Sequence, residues 1–156
     1  MSEEVRAARP EDLERCHELI GQATHGLGEP GTAQPADPRP DASSLLDEQR
    51  LHLVGIYEGE IVGLAIARLD TSPEERLGII EICYVEPAAR GVGVGESLLE
   101  AVADWVSSRG GVGTEARARP GDRETKRLLE AAGFKTRLLI LRRSSDHPRA
   151  PSRGAP

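Results

Sequence analysis

A glycine-rich loop between a buried strand and an amphipathic helix is the segment of this chain best suited to chemistry. The apolar run Ile79–Val85 predicts a strand, and Gly91, Gly93 and Gly95 follow it closely. Apolar residues at helical spacing come next, so the order is strand, loop, helix. Such a loop points unpaired backbone N–H groups and the positive end of a helix at one place, where glycine lets a ligand approach the backbone. The arrangement predicts a site for the phosphate groups of a cofactor.

Three kinds of nucleotide-binding loop fit this spacing less well. A nucleoside-triphosphate loop would end in Gly-Lys-Ser/Thr, but Glu96 and Ser97 follow Gly95. A dinucleotide loop would read G-x-G-x-x-G, and its third glycine is missing, although Glu115 lies at the distance of a ribose-binding acid. That fold also needs several more βαβ units, and only about 40 residues follow Glu115. A methyltransferase loop usually follows an acidic strand end, whereas Arg90 introduces this one. An enzyme that binds a nucleotide or S-adenosylmethionine is therefore the weaker alternative.

The loop resembles the acetyl-CoA signature of the GNAT superfamily of N-acetyltransferases. Arg90-x-x-Gly93-x-Gly95 is similar to the R/Q-x-x-G-x-G/A pattern that cradles the pyrophosphate of acetyl-CoA. The later segment Arg127–Phe134 is similar to the family's late helix, which commonly ends L-Y-E-x-x-G-F. The resemblance extends over residues 3–143. It implies an α/β GNAT acyl-CoA N-acyltransferase fold, with a mixed, mainly antiparallel central sheet flanked by helices.

The remaining segments predict the other elements of such a domain. Val5–Ala8 predicts a short strand, and Pro10 opens a helix after it. A proline-rich loop spans residues 24–42, and a short helix is expected from Ser43 or Ser44. Further strands are predicted at Leu51–Tyr57, Ile61–Leu69, Val112–Ala118 and Phe134–Leu141, with a tight turn at Glu58-Gly59. The later helices are predicted from Val94 to the stop at Gly110-Gly111, and from the N-cap Asp122 to Ala132.

Composition favours one small soluble domain. The chain has 156 residues, of which 38% are hydrophobic, and this is enough to form a core. We expect residues 1–143 to form the domain and residues 144–156 to be a disordered tail. No membrane-spanning run or signal peptide is visible, and Cys16 and Cys83 are expected in the core as free thiols. These features predict a cytoplasmic protein with no membrane partner.

Charge is divided unevenly along the chain. Residues 1–108 carry 8 Lys+Arg against 21 Asp+Glu, and residues 109–156 carry 12 against 5. This division suits a protein that holds an anionic cofactor and a cationic substrate. The net charge of −6 and the aromatic content of 3% disfavour nucleic acid as a partner, and the histidines have no metal-ligand spacing. The candidates to face the CoA phosphates are Arg119, Arg123, Lys126 and Arg127. The acidic candidates in the segment that helps form the acceptor site in relatives are Glu29, Asp37, Asp41, Asp47 and Glu48.

The chemistry of acetyl transfer to an amine requires a route for a proton. An alkyl amine such as lysine has an unperturbed pKa of about 10.4 and is mostly protonated at pH 7. Glu81 is the candidate general base, because it is a lone carboxylate in an apolar strand on which family relatives often carry an active carboxylate. The resemblance also implies that the backbone N–H near Val85 donates to the acetyl carbonyl. Relatives often have a tyrosine at the position of Leu129 that protonates the leaving thiolate, so Tyr84 or water is the candidate here.

The residues expected to contact acetyl-CoA form three groups along the chain. They are Cys83, Tyr84 and Val85; Arg90, Gly91, Val92, Gly93, Val94, Gly95 and Glu96; and Asp122, Thr125, Lys126 and Leu129. We therefore expect an N-acetyltransferase that uses acetyl-CoA as co-substrate, needs no metal, and acetylates a primary amine of a cationic small molecule or peptide directly. Leu129 in place of tyrosine leaves a second interpretation open, a non-catalytic module that binds or senses acyl-CoA. Since relatives often dimerise, a homodimer is also open.

Overall fold

The described residues form one five-stranded sheet, and its strands lie side by side in their order of sequence. A computed structural model describes residues 2–25, 49–72, 74–118 and 121–148. The strands are β1 (Glu3–Ala7), β2 (Arg50–Tyr57), β3 (Glu60–Thr71), β4 (Arg76–Val85) and β5 (Gly113–Ala116). The helices are α1 (Leu13–His25), α2 (Val94–Ser108) and α3 (Arg123–Ala131), with short 3-10 turns at Pro10–Asp12 and Pro87–Ala89. The first three strand pairings are antiparallel and the β4–β5 pairing is parallel, which confirms the mixed, mainly antiparallel α/β fold.

The sheet buries an apolar layer on each of its two faces. On one face α2 places Leu98, Leu99 and Val102 against the sheet, and each of these side chains is at most 1% exposed. On the other face Leu19 of α1 packs on Leu64 and Ile66 of β3, with Ile82 and Tyr84 at the margin. The helical spacing of apolar residues in α1 and α2 and their alternation in β3 explain why these segments form these elements.

An extra residue in β4 changes which way its side chains face. Ala67 pairs with Ile80 and Ile66 pairs with Ile82, so Glu81 between them has no partner on β3. Such a bulge interrupts the alternation of side chains between the two faces. Ile80 accordingly packs on the α2 side and Ile82 on the α1 side, although residues two apart in a regular strand share a face.

Most of the predicted elements are confirmed. The turn between β2 and β3 has positive φ at Glu58 (51°) and Gly59 (84°), as a two-residue hairpin of the right twist requires. Asp122 caps α3 as expected, since its carboxylate accepts a hydrogen bond from the Thr125 amide at 3.1 Å. The predicted strand at Val112–Ala118 is shorter, Gly113–Ala116, and α1 runs to His25, into the predicted loop. The rest of that loop and the helix predicted at Ser43 or Ser44 lie outside the described residues.

The predicted strand at Phe134–Leu141 is wrong. The chain leaves α3 at Gly133 and continues through residues 134–144 without regular structure, with Leu138, Leu139, Ile140 and Leu141 between 75% and 94% exposed. A strand needs a neighbour for its backbone hydrogen bonds, and the edge strand β5 is four residues long and, within the described ranges, pairs only with β4. Strand propensity alone was therefore not enough to form a sixth strand. The limits of the domain and tail stay predictions.

Among the helices that the structure describes, none has the length and apolar composition needed to cross a membrane.

A buried ion pair joins β1 to the start of α1. Arg6 donates to both carboxylate oxygens of Asp12, at 2.6 and 3.1 Å, and the Arg9 amide donates to the same carboxylate at 2.8 Å. Asp12 is 5% exposed, and its hydrogen bonds with the Arg6 guanidinium lower the pKa of the carboxyl group. The charged form of this aspartate therefore stabilises the folded state.

Replacing Asp12 with asparagine should lower the free energy of unfolding at pH 7 by about 2–3 kcal/mol, because Arg6 then loses its partner in a mostly buried site. Since folding lowers the pKa of Asp12, its stabilisation is complete above the unfolded value near pH 4 and is lost as the pH falls through the folded value. Urea titrations of both proteins between about pH 7 and about pH 2.5 should show that the difference in their free energy of unfolding becomes smaller as the pH falls. The neighbouring, exposed Glu11→Gln is the control, and an equal loss of stability in that variant would contradict the assignment.

Candidate active site

The parallel pair β4–β5 separates halfway along β4. The pairing runs from Leu77 to Ile80 on β4, opposite Gly113 to Ala116, and in the part of the chain that is described β5 does not continue past Ala116. The Glu86 amide donates to the Val62 carbonyl on β3 at 2.8 Å, so the amide of Val85, one residue earlier, faces the opposite side, into the gap. The opening therefore exposes backbone donors of β4 at the position predicted for the acetyl carbonyl.

The glycine loop leads directly from this opening into α2. Gly91 and Gly93 have φ of 86° and 94°, a left-handed conformation that side chains other than glycine adopt at a cost. Gly93 is the N-cap of α2 and has no side chain to bond the first amides of the helix. The amides and the helix dipole therefore point at one place with no capping side chain from the N-cap, which is what binding a pyrophosphate by main chain requires.

The two sides of the loop are held by neighbouring elements. A Cβ on Gly95 would lie 3.0 Å from Leu128 of α3, so the absence of a side chain lets α3 approach the start of α2. On the other side, the Ser97 hydroxyl donates to Glu3 of β1 at 3.0 Å, and Glu3 also lies 2.9 Å from a Cβ placed on Gly93. The other predicted loop residues differ in exposure, with Val94 buried in the core, Val92 partly exposed and Glu96 on the surface in the first turn.

Arg90 links the strand, the loop and the late helix. Its Nε donates to the Val85 carbonyl at 3.0 Å, and its guanidinium forms an ion pair with Glu124 of α3. The same group lies over the ring of Tyr84, 5.7 Å from the centroid. The arginine of the signature thus fixes the end of β4 relative to α3, which borders the opening.

Tyr84 lies on the α1 side of the sheet. Its hydroxyl donates to the Gln22 amide oxygen at 3.2 Å, and Gln22 in turn donates to Glu86 at 3.3 Å. Glu86 also forms an ion pair with Arg15 of α1, with 2.6 Å between Arg15 Nη2 and Glu86 Oε1. The sequence did not indicate this chain of contacts, because it joins α1 to β4 across more than sixty residues.

The predicted contacts on α3 have unequal surroundings. Asp122 and Thr125 are engaged with each other, since the Thr125 hydroxyl donates to Asp122 at 2.7 Å. Lys126 is exposed and lies 3.8 Å from Glu130, and Arg123 and Arg127 are exposed beside it. Leu129 is buried in the α2-side core. Arg119 and the acidic residues predicted at the acceptor site (Glu29, Asp37, Asp41, Asp47, Glu48) lie outside the described residues.

Cys83 has the surroundings of a core residue. Its side chain packs against the α2-side core, and burial raises the pKa of the thiol to about 12. A thiol with this pKa stays protonated near neutral pH and is a poor nucleophile.

Glu81 is bound by two arginines that the sequence analysis did not select. Arg50 Nη2 of β2 lies 3.3 Å and Arg68 Nε of β3 lies 3.2 Å from the same carboxylate oxygen, Oε1. The other oxygen, Oε2, is buried and has no hydrogen-bond partner within the described ranges. One signal in the sequence could have found Arg68, because it is a lone charge in the apolar run Ile61–Leu69 just as Glu81 is in Ile79–Val85.

Residues 13–134 match the sequence profile of the Acetyltransferase (GNAT) family. No curated protein matches the sequence. Solved structures share the fold. Aminoglycoside N-acetyltransferase AAC(6')-Iy in complex with CoA has a TM-score of 0.72 at 20% identity, covering 92% of this chain and 95% of its own. A ribosomal-protein-alanine N-acetyltransferase from Brucella melitensis biovar Abortus 2308 has a TM-score of 0.70 at 19% identity, and the match covers 91% of this chain and 99% of that chain. Glucosamine-6-phosphate N-acetyltransferase from Arabidopsis thaliana has a TM-score of 0.67 at 17% identity, and the match covers 94% of this chain and 100% of that chain.

Replacing Gly93 with alanine should destabilise the protein by about 1–2 kcal/mol and weaken acetyl-CoA binding by about tenfold or more, since the loop must leave its left-handed conformation. Calorimetric titration with acetyl-CoA and thermal unfolding measure the two effects. Gly59→Ala is the matched control, because Gly59 has a similar φ in the β2–β3 turn with no atom within 4 Å of its Cβ position. Equal acetyl-CoA affinity in both variants would show that the loop does not hold the ligand.

Replacing Cys83 with alanine should leave turnover within about twofold of the parent, because the protonated thiol takes no acetyl group. Initial-rate kinetics at varied acetyl-CoA and acceptor should give intersecting lines in both proteins. Loss of turnover in a variant that unfolds at the parent's temperature and binds acetyl-CoA normally would instead identify an acyl-enzyme.

Proposed function

Because this chain belongs to the Acetyltransferase (GNAT) family, whose co-substrate is acetyl-CoA, we propose that it transfers the acetyl group directly to a primary amine of a positively charged small molecule or peptide. The observation that carries the proposal is the open edge of β4 beyond Ile80, directly followed by the glycine loop at the start of α2. The strand edge offers backbone donors for a thioester carbonyl, and the helix terminus offers backbone donors for a pyrophosphate.

The residues present fit acetyl-CoA by main chain more than by side chain. The Val85 amide faces the gap, and the amides after Gly91 and Gly93 begin α2 without an N-cap side chain. Arg90, Asp122, Thr125, Lys126 and Leu129 are proposed to border the bound molecule. When bound, acetyl-CoA supplies an activated acetyl thioester and a thiolate that departs with ease.

Glu81 is proposed to take the proton of the amine. Its Oε1 is occupied by Arg50 and Arg68, whereas Oε2 has no hydrogen-bond partner in the described part of the chain, so Oε2 keeps its capacity to accept an N–H donor. The two arginines fix the carboxylate in one orientation. A water molecule between the amine and Oε2 would serve equally well.

Tyr84 is proposed to supply a proton to the departing thiolate, since it carries the only hydroxyl in β4. The hydrogen bond that its hydroxyl donates to Gln22 holds the hydroxyl on the α1 side, and the Arg90 guanidinium lies over its ring. The free thiols of Cys16 and Cys83 support a reducing compartment, and we propose the cytoplasm.

A second function, a module that binds acyl-CoA without turnover, is favoured by one observation. Leu129 stands where relatives often have the tyrosine acid, and its side chain is buried in the core. A screen of primary amines for acetyl-CoA-dependent thiol release separates the two functions. Release with at least one amine supports the transferase, and acetyl-CoA binding with no release supports the module.

Replacing Glu81 with glutamine should lower kcat at pH 7 by about 10²- to 10⁴-fold and restore part of it at high pH, where the amine loses its proton unaided. The rate of thiol release between about pH 6 and about pH 10, over which the amine loses its proton, gives the pH profile of kcat. The affinity for acetyl-CoA should not change. Glu115→Gln on β5 is the control, because that carboxylate is exposed on the same sheet. Parent-like rates for the Glu81 variant at pH 7 would remove Glu81 from the mechanism.

A further inference from the structure

Two positive charges meet one negative charge beside the proposed base. Arg50 of β2 and Arg68 of β3 approach the same oxygen of Glu81, and their side chains are 28% and 34% exposed. The carboxylate of Glu81 balances only one of these two guanidinium charges. Partly buried charges of this kind favour an anion, since the local dielectric strengthens the attraction.

Arg68 has donors to spare. Its ion pair with Glu81 has Nε as the nearest atom, at 3.2 Å from Oε1, and its two terminal amino groups donate no hydrogen bond to another residue in the described ranges. Arg50 has a further interaction of its own, so the open donors belong to Arg68. A guanidinium held by Nε presents its terminal N–H groups in a fixed plane, a geometry that matches the two oxygens of a carboxylate or phosphate.

The open donors of Arg68 lie on the same side of the sheet as the proposed acceptor site. Arg68 follows Ile66 by two residues in β3, and Ile66 packs on α1 with Tyr84 at the margin of the same cluster. Leu129 and Cys83, by contrast, pack on the α2 side. Arg68 is therefore separated by the sheet from α3 and its basic side chains, and its donors are available to the acceptor.

We propose that Arg68 binds an acidic group of the acceptor, a carboxylate or a phosphate, while the amine of the same molecule reaches Glu81 Oε2. This inference rests on the proposed function and adds a requirement to it, since the positive charge of the acceptor is then that of its amine group and an acid stands elsewhere on the same molecule. The acidic first part of the chain attracts the protonated amine, and Arg68 selects among the amines so attracted.

The proposal can be tested with pairs of acceptors that differ only in whether they carry an acidic group. Two pairs are used, one for a carboxylate and one for a phosphate. One pair is α-amino acids against their amides, and the other is glucosamine-6-phosphate against glucosamine. Initial rates at saturating acetyl-CoA should give a higher kcat/KM for the acidic member of at least one pair. The pair that shows the preference identifies the anion as carboxylate or phosphate.

The variant Arg68→Gln should raise KM for the preferred acidic acceptor by about 10- to 100-fold, because charge-assisted hydrogen bonds to the acid are lost. Its kcat should fall by the same factor for both members of the pair, because Glu81 also loses one of the two arginines that orient it. KM for the neutral partner and affinity for acetyl-CoA should not change. Arg68→Lys, which keeps a cation beside Glu81, should retain the fold and recover part of the loss. Arg109→Gln, which removes an exposed arginine at the end of α2, is the control and should behave as the parent.

Equal kcat/KM for both members of each pair in the parent, or an equal change in KM for both members in Arg68→Gln, would overturn the role of Arg68 while leaving the acetyltransferase intact. If no amine is acetylated, the proposed function fails. Calorimetry of the same acidic compounds with the CoA-saturated protein then tests whether Arg68 forms a binding site for them. Binding that Arg68→Gln abolishes would support the site, and no binding to the parent would overturn it.

Discussion

The bulge at Glu81 is the constraint on which the arrangement of β4 depends. One residue without a partner on β3 reverses the facing of every residue after it, so Ile80 and Ile82 support opposite cores. Tyr84 consequently faces α1, and Val85 packs under the start of α2. The bulged residue is itself the carboxylate, held between arginines of β2 and β3. Packing of the two faces and placement of the proposed base thus have one structural origin.

Recognition of the co-substrate by main chain, as proposed here, is compatible with large differences in side chains between proteins of this fold. The site proposed for the co-substrate consists of an open strand edge, two glycines with positive φ and a helix start without an N-cap side chain, and it uses few side chains. Solved structures with 17–20% identity share the fold at TM-scores of 0.67–0.72. The α1 side of the sheet, in contrast, carries charged side chains such as Arg68 and Glu81, and selectivity for the acceptor is expected there.

How much could be predicted from the sequence differs from one residue to another. Gly93 and Asp122 were identified because turn chemistry and capping are local, and the chain order of strands and helices followed from periodicity. The contact of Arg68 with Glu81 depends on strand register, which the bulge alters and no local pattern reports. The expected strand at Phe134–Leu141 failed for the complementary reason, because apolar composition predicts strand propensity but not the presence of a neighbouring edge.

That apolar run after α3 has a consequence for the behaviour of the protein in solution. Four large aliphatic side chains in succession, Leu138 to Leu141, are adhesive when exposed, and an extended chain of this composition can add to any free sheet edge. Lys135 and Arg137 precede the run, and Arg142 and Arg143 follow it. Like charges at both ends oppose stacking of one molecule on another, in the manner of gatekeeper residues. Because salt screens this repulsion, the colloidal stability of concentrated preparations should decrease as ionic strength rises.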